Sequence, residues 1–387
     1  MSKIIWPLAI DTWGDAERAA AHRVIDSGHL TMGEEVTAFE REFAAHVGSR
    51  FAVMVNSGSS ANLLAVAAVC AERDLTLERG CNAVVPAIAW ATTYAPLHQH
   101  GLALRVADVD PLTLNNTAAL MRACVDPSTA LLVTVSILGN PAPLRELREL
   151  ADEHNLVMIE DNCESLGAKV GGKHCGTFGD VGTFSFFFSH HLSTGEGGML
   201  VTDDRKLYEI ALCLRAHGWT RQLPGNSPLR SRPEVADNYQ FVLPGYNLRP
   251  TELTAAVGRV QLQRLDEMNY WRGHNLLVFL DRFAGDIRWE IQYPLSPDTL
   301  RVPFGFTLVF PTKEDKARAA QRLTDAGIEH RMITGGCFTE HPAAVHYDWC
   351  APGGVPRAQH AHHCGLFVGN HSVDLSEQIE TMWRALR

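Results

Sequence analysis

From about residue 50 to residue 203 the chain alternates short apolar runs with stretches of helical period. The runs are FAVMV (51–55), Ala83-Val84-Val85, LALRVADVD (102–110), ALLVTVSIL (130–138), LVMIED (156–161), GTFSFFF (182–188) and GGMLVTD (197–203). Apolar runs of strand length that alternate with helices predict a mainly parallel sheet covered on both faces. The expected fold class is therefore α/β. Ligands of such sheets sit beyond the carboxyl ends of the strands, so the polar residues that follow each run are the candidates for chemistry.

The pattern breaks after Pro244-Gly245-Tyr246-Asn247-Leu248-Arg249-Pro250. A long amphipathic stretch from Thr251 to about Phe283 leads into FGFTLVF (304–310) and a helix over 313–326. This predicts a large domain over 1–250, with an N-terminal arm, and a smaller C-terminal α/β domain over 251–387. The segment from Pro224 to Asp237, rich in Pro, Ser and Arg, reads as an exposed loop.

Composition narrows the class. A chain of 387 residues with 46% hydrophobic and 20% charged residues is that of an ordinary globular enzyme. A net charge of -10 without any Lys/Arg block argues against nucleic acid or an anionic membrane surface as partner. The opening MSKIIWPLAIDTW lacks a signal-peptide apolar region and no run reaches membrane-spanning length, so a cytoplasmic protein is expected. Nine cysteines without a CxxC pair fit reduced thiols and argue against a cysteine-bound zinc or iron–sulfur cluster. His360, His362, His363 and Cys364 crowd together, but no carboxylate is close in sequence, and no metal is expected.

Four polar positions follow strands. Asn56-Ser57-Gly58-Ser59-Ser60-Ala61-Asn62 opens a helix, and Ser59 or Ser60 can cap it. Its free N–H groups suit a phosphate, although the same residues serve as a plain cap. Glu160-Asp161-Asn162-Cys163-Glu164 places carboxylates beyond a strand, either to meet a protonated ring nitrogen or to cap the next helix. Trp90 is a stacking surface or a core aromatic, and Ser185 is a hydroxyl within phosphate reach or a satisfied buried serine. Then comes SHHLSTGEGG (189–198), a glycine turn preceded by two histidines. Neighbours on a strand face opposite ways, so one histidine at most should serve a site there.

The order of these signals resembles the fold type I pyridoxal-phosphate family, in its sugar-aminotransferase branch. The resemblance runs from TMGEEVTAFEREFAAHVGSRFAVMVNSGSSANLL through PGYNLRPTEL to GLFVGNH, nearly the whole chain. It implies that Gly58, Ser59 and Ser185 hold the phosphate of pyridoxal 5'-phosphate (PLP). Trp90 would stack on the pyridine ring, Asp161 would pair with its nitrogen, and Glu164 would help order it. Asn247 would reach the phosphate site of a neighbouring subunit, which implies a homodimer with shared active sites.

In that family the position five residues before GEGG carries the lysine that forms the Schiff base. Here it is His190, and Lys3, Lys169, Lys173, Lys206, Lys313 and Lys316 all lie elsewhere. An imidazole cannot form an imine but suits proton transfer near neutral pH. The replacement, with Ser189-His190-His191, AHGWTR and FVLPGYNLRP, is similar to the C3-dehydratases of this family. It implies that L-glutamate converts PLP to pyridoxamine 5'-phosphate (PMP), which condenses with a GDP-4-keto-6-deoxysugar. His190 would act as the base, and ammonia and a 3-deoxy sugar would be released. Ser189 and His217 are expected at the substrate, although His217 equally reads as a helix-end histidine; His191 is read as structural. Two alternatives keep the same pocket: a sugar aminotransferase with non-covalent PLP, and a non-catalytic nucleotide-sugar-binding protein.

Overall fold

Each apolar run becomes a strand where a neighbour can complete its hydrogen-bond ladder, and stops where none can. The computed structural model describes residues 4–73, 80–230, 239–294 and 296–387. Helices α1 (Asp15–Ser27) and α2 (Glu34–Val47) precede β1 (Phe51–Val55), α3 (Gly58–Arg73), β2 (Asn82–Pro86), α4 (Ala91–Gln99) and β3 (Ala103–Ala107). There follow α5 (Ala118–Arg122), β4 (Thr129–Val135), α6 (Leu144–Glu153) and β5 (Val157–Asp161). Next are the short β6 (Lys169–Val170) and β7 (Lys173–His174), then β8 (Val181–Ser185), β9 (Gly198–Thr202) and α7 (Arg205–Arg215). The remainder holds α8 (Glu252–Phe283), β10 (Thr299–Leu300), β11 (Gly305–Val309) and α9 (Lys313–Asp325). It closes with β12 (Trp349–Cys350), α10 (Pro356–Cys364), β13 (Gly365–Gly369) and α11 (Ser376–Leu386).

An eight-stranded sheet in the order β1-β9-β8-β5-β4-β2-β3-β12 forms the centre. From β8 to β12 the strands are parallel, while β9 runs antiparallel between β8 and β1. The α/β class expected from the alternation is the one observed. Register aligns Val135 with Asp161 and Asp161 with Thr183, so the carboxyl ends of β4, β5 and β8 finish side by side.

The run GTFSFFF does not remain a strand to its end. Ser185 pairs with Gly198, the first residue of β9, so beyond Ser185 no regular partner is left. The chain turns, with the His190 N–H donating to the Phe187 carbonyl at 2.9 Å. His190 and His191 therefore sit on a turn, and strand alternation does not govern where they point. The run 102–110 likewise stops as a strand at Ala107; Asp108 leaves the sheet to accept the Ala358 N–H at the start of α10. Of the predicted exposed loop, residues 231–237 lie outside the described residues; in the remainder, Ser227 is buried and donates to Glu209.

A second core gathers Leu276, Phe279 and Phe283 of α8 with Phe306, Leu308, Val368, Ile379 and Met382. β11 and β13 pair antiparallel there. Trp6, fully buried, joins this core and donates its indole N–H to the Gly369 carbonyl at 2.8 Å, so the N-terminal arm ends among residues beyond 251.

α8 bridges the two cores. Its Thr251 cap accepts the Thr254 N–H, and Glu252 follows. The buried Glu252 carboxylate accepts backbone N–H groups of Gly33 (2.7 Å), Glu35 (2.9 Å) and Val36 (2.9 Å), the free donors at the start of α2. Glu252→Ala strands three donors at once. The expected loss is roughly 2–4 kcal/mol of unfolding free energy, with Glu252→Gln in between, measured as shifts in the urea midpoint.

Candidate active site

Two glycines allow the start of α3 to lie against the end of β8. A Cβ on Gly58 would stand 2.5 Å from the Ser185 Cβ, and one on Gly198 would stand 2.3 Å from the Ser57 carbonyl oxygen. No larger residue fits either place. The first intrahelical bond is Ala61 N–H to the Ser57 carbonyl, and Ser57 Oγ takes the Ser60 N–H, both at 3.0 Å. Ser57 is thus the cap, two residues ahead of Ser59 and three ahead of Ser60, the caps expected from sequence. The Gly58 and Ser59 N–H groups precede that first bond and are left for an anion.

A cavity of about 300 Å³ opens over this helix start. Gly58, Ser59, Trp90, Asp161, Glu164, Ser185, Ser189 and His190 all line it. Trp90, at the N-cap of α4 and 58% exposed, forms an open wall. Asn247 and His217 do not line it. Both are exposed, on adjoining segments joined by the His217 N–H to the Tyr246 carbonyl at 2.6 Å. Asn247 Oδ1 accepts Arg249 Nε at 2.9 Å, and His217 adopts a left-handed backbone with φ of 65°.

Asp161, the last residue of β5, is buried and held from three directions. Asn62 Nδ2 and Thr93 Oγ1 each donate to its Oδ2 at 2.8 Å, and the Cys163 N–H donates to Oδ1 at 3.2 Å. Asn62 is oriented in turn by Thr183 Oγ1 at 2.6 Å. Glu164 Oε2 accepts the Leu138 N–H at 2.9 Å and Thr334 Oγ1 at 3.2 Å. Burial, with the Asp161 charge adding, pushes its carboxyl up to about 7.

His190 faces the cavity between two phenylalanines. Its ring lies 5.1 Å from that of Phe304 and 6.1 Å from that of Phe187. Burial lowers its pKa to about 4; a hydrogen bond to the Cys163 backbone opposes this and the Arg272 charge adds to it. The imidazole is therefore neutral at pH 7, the form a base requires. Its Nδ1 is buried without a partner, so the ring keeps one nitrogen uncommitted. His191 does not line the cavity, and its Nε2 meets the Val302 carbonyl at 2.9 Å.

Several contributors carried no sequence signal strong enough to find them. Asn62 and Thr93 sit inside helices, where a polar residue reads as solvated; only their spacing, four residues after Gly58 and three after Trp90, points inward. Thr334, Phe304, Arg331 and Phe367 come from the other side of the molecule. Near the C-terminus the fold does bring a carboxylate to the histidines: Glu340 Oε2 is 3.0 Å from His363 Nε2. His362 Nδ1 accepts the Cys337 N–H at 3.1 Å, so both rings already have protein partners.

Residues 11–387 match the family model of the DegT/DnrJ/EryC1/StrS aminotransferases. The chain is 40% identical over 395 residues to a GDP-4-keto-6-deoxy-D-mannose 3-dehydratase of Yersinia pseudotuberculosis, covering 100% of both chains. It superposes on the Escherichia coli GDP-4-keto-6-deoxy-D-mannose 3-dehydratase with bound hydrated PLP at a TM-score of 0.95 and 39% identity, covering 100% of each. A GDP-4-keto-6-deoxymannose 3-dehydratase with a trapped PLP-glutamate geminal diamine superposes at 0.94 and 39% identity, over 99% of this chain and 100% of that one.

The histidines set a pH dependence of stability. Burial holds His174, His190 and His371 at about 4 and pushes His191 well below the usual imidazole range. An unfolded imidazole protonates near pH 6.5, so below that the unfolded chain binds more protons and acid favours it. The raised carboxyls Glu160 and Glu164 act oppositely, stabilising below their unfolded pKa and losing that contribution as pH rises towards 7. Four imidazoles outweigh two carboxyls. The ligand-free thermal midpoint should fall steadily from pH 6.5 to pH 4, by calorimetry; a midpoint that rises over this range would contradict these assignments.

Proposed function

Because the chain belongs to the DegT/DnrJ/EryC1/StrS aminotransferase family, we propose that it is a PLP- and PMP-dependent lyase. It removes the C3 hydroxyl of a GDP-4-keto-6-deoxysugar, GDP-4-keto-6-deoxymannose by its relatives' names, with L-glutamate as amino donor. One observation carries the reading. A neutral imidazole, His190, stands where the resembling aminotransferases place lysine, and no lysine lines the cavity among the described residues.

The residues present fit the cofactor. The free N–H groups of Gly58 and Ser59, with Ser185 Oγ beside them, form a cradle for a phosphate, kept open because Gly58 has no Cβ. Asp161 is an anchored carboxylate for a ring nitrogen, Trp90 offers a stacking face, and Glu164 can share a proton with a ring substituent. When bound, the cofactor supplies an electron sink that links loss of a proton to departure of a neighbouring hydroxyl. Every other task falls to the chain. His190, at the cavity wall, takes the proton, Phe304 packed against its ring shields it from water, and Ser189 contacts the sugar. Since an imidazole forms no lasting covalent link with an aldehyde, cofactor retention rests on the phosphate cradle, Asp161 and Trp90.

The proposal includes a homodimer. Tyr239 (79% exposed) and Phe241 (55%) stack on Trp219 beside His217 and Asn247, an apolar face suited to a second copy. Across it Asn247 would reach the partner's phosphate cradle and His217 its sugar site. Nucleotide sugar, glutamate and PLP are charged metabolites of the cytoplasm, where the enzyme would work.

Mass spectrometry of the sugar nucleotide after incubation with PLP, L-glutamate and GDP-4-keto-6-deoxymannose is the direct test. Loss of the C3 hydroxyl with release of ammonia is expected; an amine in place of the ketone would make the protein an aminotransferase. His190→Asn should lower turnover by about 10²–10⁴-fold while PLP still binds, read by absorbance titration. Normal dehydration by that variant would remove His190 from its role.

A further inference from the structure

Asp161 Oδ2 takes two side-chain donors, Asn62 Nδ2 and Thr93 Oγ1, both at 2.8 Å. A carboxylate oxygen has two lone-pair sites, so this one is filled. The other partner is Cys163: its N–H reaches Oδ1 at 3.2 Å, and its thiol also bonds to the carboxylate. A thiol is a weak donor and 3.2 Å is the long end of an N–H bond, so Oδ1 is the oxygen with room for a further donor. Asp161 and Cys163 line the cavity, whereas Asn62 and Thr93 do not.

Asn62 is itself set by a third residue. Thr183 stands opposite Asp161 in the register of β8 on β5. Since a carboxylate only accepts, the Asn62 amide turns its NH2 to Asp161 and its oxygen to Thr183, whose Oγ1 donates at 2.6 Å. The bonds thus run in one direction, from Thr183 to Asn62 to Asp161, and each polarises the next. Asn62 and Thr93 are 5% and 4% exposed and Thr183 is fully buried, so water does not replace a lost donor.

We propose that Asn62 and Thr93 are positioning residues for the cofactor. By filling Oδ2 they hold the Asp161 carboxylate against rotation about its broad terminal torsion and turn Oδ1 to the ring-nitrogen proton. Thr183 fixes Asn62 in the same way. Side chains that never touch the cofactor thereby decide how firmly its ring, as distinct from its phosphate, is held. This inference rests on the cofactor reading above, and the two can fail separately.

The experiment compares PLP with its 1-deaza analogue, in which a C–H replaces the ring nitrogen and leaves Asp161 no proton to accept. Dissociation constants are measured by absorbance titration for wild type, Asn62→Leu, Thr93→Val, Thr93→Ser and Thr183→Val. Asn62→Leu and Thr93→Val should weaken PLP binding by about three- to thirtyfold, and Thr183→Val by about two- to tenfold. Thr93→Ser keeps the hydroxyl and should stay within about twofold of wild type. The deaza analogue should bind every variant within about twofold of its wild-type value. Asn62 shares α3 with Gly58 and Ser59, so a merely structural disturbance of that helix would loosen the phosphate cradle and weaken both ligands alike. Equal weakening of both would overturn the inference, and so would PLP binding unchanged by Asn62→Leu and Thr93→Val. Where Asn62→Leu does not fold, the pair Thr93→Val and Thr93→Ser decides. A wild type that binds neither ligand overturns the cofactor reading itself.

Discussion

Two carboxylates three residues apart, Asp161 and Glu164, must be kept in a buried floor, and much of the surrounding structure answers that need. An unpaired charge taken out of water is expensive, so every oxygen requires donors. α3 supplies Asn62, α4 supplies Thr93, the chain after β4 supplies the Leu138 N–H, and the chain before α10 supplies Thr334. Satisfying the pair therefore draws four separate segments around the end of β5. Leu138 and Thr334 hold left-handed backbones, with φ of 51° and 46°. Such conformations cost on the order of 1–3 kcal/mol each and persist where the surroundings impose them. Here both strained residues donate to Glu164.

The two carboxyls are also kept unlike. Asp161 accepts three hydrogen bonds, whereas Glu164 beside it accepts two and sits near its titration point at neutral pH. The histidines repeat the device: His190 lines the cavity, whereas His191 does not and meets the Val302 carbonyl through its Nε2. Arg272, buried under both, lowers their basicity further while donating to the Asn370 carbonyl at 2.5 Å. Neighbouring residues of one type are separated in role by what each packs against.

Much of this could be read from the sequence, for a physical reason. Gly58 and Asp161 lie at or just past the ends of apolar runs, Ser185 lies inside one, and a mainly parallel sheet brings the strand ends to one edge. Sequence order therefore stood in for geometry. Reading failed where a ladder ended inside an apolar run. Phe186 stays apolar because its ring packs 5.4 Å from those of Phe39 and Phe43, although the regular strand ends at Ser185, so GTFSFFF looked longer as a strand than it is. The alternation argument for the two histidines lapsed with it, although they do diverge. Thr334 and Arg331 were illegible because only the packing of the second core on the sheet carries them to His190.

α8 sets that packing. Its first turns are tied to α2 through Glu252, its middle lies in the core beneath Phe184 and Phe186 through Leu265 and Met268, and its last turns carry Leu276, Phe279 and Phe283. Between them Arg272 and Asn275 grip the chain at 370–375. Adding or removing one residue inside this helix would rotate everything beyond by about 100° and displace it by about 1.5 Å. One end would then part from its core, and the Phe304 wall from the base. Descendants of this gene are free to lengthen or trim surface loops, but the reading frame of α8 is a fixed gauge, and its 32 residues can change only by substitution.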